Sequence, residues 1–290
     1  MVTESGIYTM PLHEYVNDPA PQPSLNTGTA HVLLTQSPQH AWTSHPRLNK
    51  SHISDRSSRL DLGTIAHAMF LERDESRIVV IEAEDWRTKD AKTKRDEARA
   101  NGLLPILAKD FDSAKLMITE ARLAVAQSQF HTDFREAIPE ETLIWEQDGV
   151  WHRSRPDAHT PDWKIVFDYK TTQSAHPAAF MRTAHQQAYD LQAELALQGV
   201  EHLTKQGYPT FVFIVQEIEE PYAVSFISLS PQWHDLARQK LRMARSIWKG
   251  CLRKKVWPSY TPDLAYIEPP AYASLGWDDS LTPIDAEDLV

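Results

Sequence analysis

The chain has 290 residues, 41% of them hydrophobic and 24% charged, as expected of a soluble globular protein able to bury a sizeable core. Its formal charge of −10 argues against non-specific coating of nucleic acid but leaves room for a local basic channel, and the lone Cys251 excludes a disulfide scaffold, a Cys-type zinc site or a Cys-ligated iron–sulfur cluster within one chain. The longest apolar run, Phe211 to Val215, is too short to span a bilayer, and the start resembles no secretory signal, so the expected location is the cytoplasm, away from membranes.

Residues 1–60 show little periodicity, with Pro19, Pro21 and Pro23 clustered and a short helix expected from Thr27 to Leu34. This stretch reads as an N-terminal arm packed on the core. In Asp61 to Glu72, Leu62, Ile65, Ala66, Met69 and Phe70 recur at helical spacing, with Asp61 as N-cap. Ile78 to Ala83 reads as a strand, Asp85 to Gly102 as a solvated helix or loop, and Asp110 to Gln127 as an amphipathic helix. Thr142 to Glu146 and Val150 to Arg155 flank Asp148-Gly149, a hairpin signal. Lys164 to Tyr169 is a further strand, and Ala178 to Gly199 a long helix closed by Gly199. Strands at Tyr208–Val215 and Ala223–Leu229 precede a helix capped by Ser230-Pro231 and running to about Lys255. The order predicts an α/β domain over residues 61–257, a mixed β-sheet flanked by helices. Residues 258–290 form a Pro-rich acidic tail, with seven acids and no Lys or Arg after position 262.

Asp157, Asp168 and Lys170 carry the chemical signal. Strand side chains alternate, so Asp168 and Lys170 share a face, and a return over the intervening loop brings Asp157 beside Asp168. Two converging carboxylates repel unless a cation lies between them, and hard oxygen donors suit Mg²⁺ or Mn²⁺. An adjacent lysine orients water or stabilises a pentacovalent phosphorane. This is a set for metal-assisted phosphodiester hydrolysis. A solvated Asp/Lys edge pair is the plainer alternative. His67 is a metal-ligand candidate on its helix, against the plainer reading of a packed histidine, and Glu72 is a weaker one. Tyr189 and Gln192, three apart on a helix, share a face. Residues 238–255 carry eight Lys and Arg and no acid, and read as a phosphate track.

Arg155-Pro156-Asp157 with Asp168-Tyr169-Lys170-Thr171-Thr172 resembles the signature of the PD-(D/E)XK nuclease superfamily, with Asp in the D/E slot. Gly63-Thr64-Ile65-Ala66-His67 resembles the G-x-x-x-H helix of the branch holding the RecB, λ exonuclease and RecE nucleases. The likeness is closest to RecE (exonuclease VIII) and its phage relatives, through Gly63–Glu72, the RPD and DxKTT runs, Tyr189 with Gln192, and the opening Tyr8–Leu25. It spans the chain to about residue 260. The resemblance implies a PD-(D/E)XK nuclease core and Mg²⁺-dependent exonucleolytic digestion of linear double-stranded DNA from 5′ ends, with Mn²⁺ substituting. It implies 3′ single-stranded tails for phage-type homologous recombination, a ring-shaped trimer or tetramer around DNA, and a single-strand annealing partner. Carried over by residue, His67, Asp157, Asp168 and the carbonyl of Tyr169 bind metal. Lys170 positions the attacking water, Tyr189 and Gln192 support the site, and Arg155 contacts DNA. The rivals are a structure-specific or nicking endonuclease on the same core and a non-catalytic DNA-binding module.

Overall fold

The computed structural model describes residues 1–51, 62–72 and 75–270. The N-cap expected at Asp61 and the tail beyond 270 lie outside the described residues. The first elements are β1 (Gly6–Tyr8), α1 (Leu12–Val16), α2 (Thr27–Thr35) and α3 (Pro38–Ser44). Next come α4 (Leu62–His67), continued by a π-turn over Ala68–Glu72, then β2 (Ile78–Ile81), α5 (Lys89–Ala100), β3 (Leu104–Leu107), α6 (Ala108–Gln127) and α7 (His131–Arg135). The central strands are β4 (Ile138–Pro139), β5 (Thr142–Gln147), β6 (Val150–Ser154), β7 (Ala158–His159) and β8 (Ile165–Thr172). The chain continues through α8 (Pro177–Gln186), α9 (Tyr189–Thr204), β9 (Thr210–Glu217), β10 (Val224–Ile227) and α10 (Pro231–Lys254). Residues Met1–Pro258 form one compact unit; the described part of the second, 259–270, carries no helix or strand. No helix among the described residues is long and apolar enough to cross a membrane.

Local chemistry sets several boundaries. Asn26 accepts a hydrogen bond from the Thr29 N–H at 2.8 Å and starts α2. Ser37 and Ser230 cap α3 and α10, each followed by a proline at the first helical position. Asp148 and Gly149 both adopt positive φ, the backbone of a two-residue hairpin turn.

The site-bearing sheet has the order β10-β9-β8-β7-β4, with β8 and β9 parallel and the other pairs antiparallel. The β5–β6 hairpin was expected in this sheet. It pairs instead with β1, in a separate three-stranded sheet. Pro156 follows β6 and cannot donate to a ladder, so the chain leaves that sheet and re-enters as the short β7 against β8. A parallel β2–β3 pair joined through α5 completes the strands.

Helices cover both faces of the larger sheet. One core joins α9 and α10 to Val166, Phe211, Phe213 and Val215, and the other joins α4 and α6 to Phe167, Tyr169, Val212 and Ile214. The alternation of β8 and β9 thus feeds two layers. The helix expected over 178–199 is two helices, broken where Ala188 takes a left-handed φ of 56°. The break lets Tyr189 stack near Phe180 and Phe213, both with ring centroids at 5.8 Å.

Gly199 does not close α9; the helix continues through it to Thr204. A Cβ at 199 would lie 2.7 Å from Trp145 Cζ3 and 3.1 Å from Leu143 Cδ1, so glycine here permits close approach of α9 to β5. Gly199→Ala is expected to destabilise by on the order of 1–2 kcal/mol despite its better helix propensity, because the fully buried indole cannot yield. A lowered urea midpoint at unchanged slope would report it.

Candidate active site

β7 pairs with β8 only at Ala158–Phe167 and His159–Val166, so from Asp168 onward that edge of β8 has no neighbouring strand among the described residues. The freed Tyr169 N–H donates to Asp157 Oδ2 at 2.8 Å. One residue before β7, Asp157 is therefore fixed beside Asp168 by sheet register. The N–H and C=O of one strand residue project to the same edge, so the Tyr169 carbonyl opens on the Asp157 side.

Asp168 and Lys170 do share a face: the Lys170 ammonium is ion-paired to Asp168 Oδ1. Gln192 on α9 donates through Nε2 to Asp168 Oδ2. Lys170 Nζ lies 4.9 Å from the centroid of the Tyr189 ring. From the opposite sheet face, α4 brings His67 Nε2 to 3.2 Å from Asp157 Oδ1. Asp168 is fully buried, whereas His67 keeps 26% and Lys170 17% of its side chain exposed. These groups meet in or beside an open cleft of about 690 Å³, walled also by Leu12 and Tyr15 from the arm and by Gly63 and Thr64 from α4.

The electrostatics are those of crowded carboxylates. Burial, then the charge of Asp157, pushes the Asp168 carboxyl up to about 7, against the pull of Lys170. Burial also works upward on Asp157, but His67, Lys170 and the Tyr169 N–H outweigh it and hold its pKa below the usual carboxylate range. Burial works downward on His67, yet Asp157, Glu72 and Glu140 raise it to about 10. Lys170 is likewise raised, by Asp168 and Asp157 against its burial.

The donor set fits a divalent cation. Asp168 Oδ1 is buried without a hydrogen bond of normal geometry, and the Lys170 ammonium supplies its positive charge. The 3.2 Å between His67 Nε2 and Asp157 Oδ1 is close to the separation of about 3 Å between adjacent donors on an octahedral ion with bonds of about 2.1 Å. The three donors that converge within 4.8 Å among the described residues, however, are His67, Glu72 and Glu140, rather than His67, Asp157 and Asp168. Glu140 escapes sequence reading because the Pro-Glu-Glu run before β5 has no motif. It is marked only in three dimensions, by the Arg155 ion pair and by its backbone N–H bond to the Asp157 carbonyl.

Two sequence expectations meet contacts within the fold. Arg155, on the cleft wall, donates to the Met10 carbonyl at 2.8 Å, Thr142 Oγ1 at 3.0 Å and Glu140 Oε2 at 2.7 Å. Four of the eight cations in the basic run 238–255 are engaged within the fold. Arg238 binds Glu194, Lys240 binds Asp190, Arg245 binds His152 and Gln198, and Lys249 binds the Asp148 carbonyl. Those cations neutralise buried acids or close the hairpin end, a use invisible in a linear charge count.

The family model describing a PDDEXK-like domain of unknown function (DUF3799) matches residues 29–270. The chain belongs to this family. A crystal structure of a candidate exonuclease from Eubacterium rectale aligns over 93% of this chain and 98% of that one, at 11% identity and a TM-score of 0.57. That likeness shows a shared fold. A phage-related exonuclease from Haemophilus somnus aligns over 66% of this chain and 95% of its own, at 13% identity and a TM-score of 0.29, too low to carry an argument. No curated protein matches by sequence. The PDDEXK-like family thus has here a nuclease-like mixed sheet flanked by helices, with both acids and the lysine of its signature gathered at one open strand edge.

Proposed function

We propose that the chain is a metal-dependent exodeoxyribonuclease that hydrolyses linear double-stranded DNA from 5′ ends and leaves 3′ single-stranded tails for phage-type recombination. The observation that carries the reading is the meeting of Asp157, Asp168 and Lys170 at the open edge of β8, within a PDDEXK-like fold. Asp157, Asp168, His67 and the Tyr169 carbonyl would hold Mg²⁺, with Mn²⁺ as substitute. When bound, such an ion polarises the scissile phosphate and lowers the pKa of a bound water.

The protein's own groups do the rest. Gln192 fixes one oxygen of Asp168 and leaves the other to the Lys170 ammonium. Lys170, released from Asp168 once the carboxylate charge is otherwise compensated, aligns the attacking water and steadies charge on the phosphorane. Tyr189 holds the lysine from above through its ring face. The partners that accord with this role are duplex ends, further copies of the chain arranged as a trimeric or tetrameric ring, and a single-strand annealing protein, all in the bacterial cytoplasm.

Incubation of linear, nicked and closed circular duplexes with Mg²⁺ or EDTA, using separate 5′ and 3′ labels, tests the reading. Linear DNA should disappear only with Mg²⁺, with the 5′ label released early and closed circles untouched. Cleavage of closed circles would identify an endonuclease instead. A mobility shift without any cutting would identify a binding module.

A further inference from the structure

Glu72 and Glu140 converge on one atom. Glu72 Oε1 and Glu140 Oε1 each lie 3.9 Å from His67 Nδ1. Each glutamate is held from behind by an arginine on its other oxygen: Arg77 on Glu72 Oε2 at 3.4 Å, and Arg155 on Glu140 Oε2 at 2.7 Å. Glu140 is further pinned to the site, since its backbone N–H donates to the Asp157 carbonyl at 3.0 Å.

This arrangement has a chemical reading. His67 turns Nε2 toward Asp157 and Nδ1 toward the two glutamates. An imidazole that ligates through one nitrogen keeps its proton on the other, and that N–H needs an acceptor to fix the ring. The two glutamate charges are already matched by two arginine charges, so a second divalent ion between them would face a neutral set. An N–H donor asks for no such charge, and a contraction of about 1 Å brings either oxygen into hydrogen-bond range. We propose that Glu72 and Glu140 together form a carboxylate clamp on His67 Nδ1, positioning residues that fix the ring so that Nε2 serves the ion held with Asp157. The inference rests on the metal site proposed above.

The test is Mn²⁺ binding to the full chain, read by electron paramagnetic resonance of free Mn²⁺, for Glu72→Ala, Glu140→Ala and the double variant. The double variant should bind the same number of ions about 10- to 100-fold more weakly. Its kcat on linear duplex should return to near the wild-type value at saturating Mn²⁺, so the loss appears in the metal requirement alone. The double Gln variant, which keeps acceptor oxygens, should recover most of the affinity. Unchanged Mn²⁺ affinity in the double Ala variant overturns the clamp. Loss of one bound ion per chain also overturns it, since the glutamates would then be ligands. Absence of Mn²⁺ binding by the wild type, or wild-type binding by Asp168→Asn, overturns the metal site and the clamp with it. Wild-type binding that Asp168→Asn abolishes and the double Ala variant leaves intact sinks the clamp alone.

Discussion

Asp168→Asn is expected to lower Mg²⁺-dependent hydrolysis of linear duplex by at least about 10³-fold, the equivalent of roughly 4 kcal/mol of barrier. The substitution keeps the shape of the side chain and the bond from Gln192, but removes the buried charge that faces Asp157 and Lys170. An amide cannot replace an anionic donor to a hard cation. A second readout separates metal holding from chemistry. A ligand at 100 times its dissociation constant stabilises the folded state by about 2.7 kcal/mol, so Mn²⁺ should raise the melting temperature of the wild type. Asp168→Asn should lose that rise, whereas Lys170→Met should keep it while losing the rate. Initial release of labelled nucleotide and a thermal melt with and without Mn²⁺ measure the two effects. If Asp168→Asn digests DNA at the wild-type rate, the hydrolytic centre lies elsewhere.

Why these residues were legible, and others not, follows from what sets their positions. Asp168 and Lys170 lie on a strand, where a period of two fixes their common side whatever the rest of the fold does. Asp157 is tied to them by a register that the Arg-Pro-Asp run and the following strand nearly impose, since Pro156 ends one ladder and the next begins two residues on. The Asp148-Gly149 turn needed only local backbone preference. By contrast, Glu140 reaches the site through a loop whose conformation is imposed by Arg155 and Asp157, so no local pattern marks it. The break at Ala188 has no glycine or proline to announce it and is stabilised by aromatic contacts formed only after folding. Arg238 and Lys240 read as part of a phosphate track because their acidic partners, Glu194 and Asp190, lie roughly fifty residues upstream on α9. Sheet membership of the hairpin was equally non-local, since β1 at the start of the chain supplies its edge partner.

Asp18→Asn is expected to cost about 3–5 kcal/mol of stability. Asp18 is fully buried, and its carboxylate accepts from the Ser24 N–H at 2.9 Å and Ser24 Oγ at 2.6 Å. Arg153 Nη1 on β6 lies 3.1 Å from Oδ1, and His45 Nε2, just past α3, 3.3 Å from Oδ2. Burial works to raise the Asp18 pKa, but His45, Arg153 and Ser24 together hold it below the usual carboxylate range. The neutral amide would strand a nearly buried guanidinium, whose remaining partners are Ser24 Oγ and the Ser24 carbonyl. The sign of the pH dependence follows from the depressed folded value. The contribution is fully present above the unfolded carboxyl pKa of about 3.9 and is lost as pH falls through the lower folded value. Urea denaturation at pH 7 should therefore show the full gap between wild type and variant, and the gap should narrow as acid protonates Asp18 in both states. A gap under about 1 kcal/mol at pH 7 would show that the arm is held by its apolar contacts instead. The consequence reaches the cleft, because Tyr15, stacked 5.5 Å from the Arg153 guanidinium, is part of its wall. Arg155, which fixes Glu140, also leans on the Met10 carbonyl of the same arm. Loosening Asp18 should thus weaken Mn²⁺ binding as well as stability, which makes the arm part of the machinery that shapes the site.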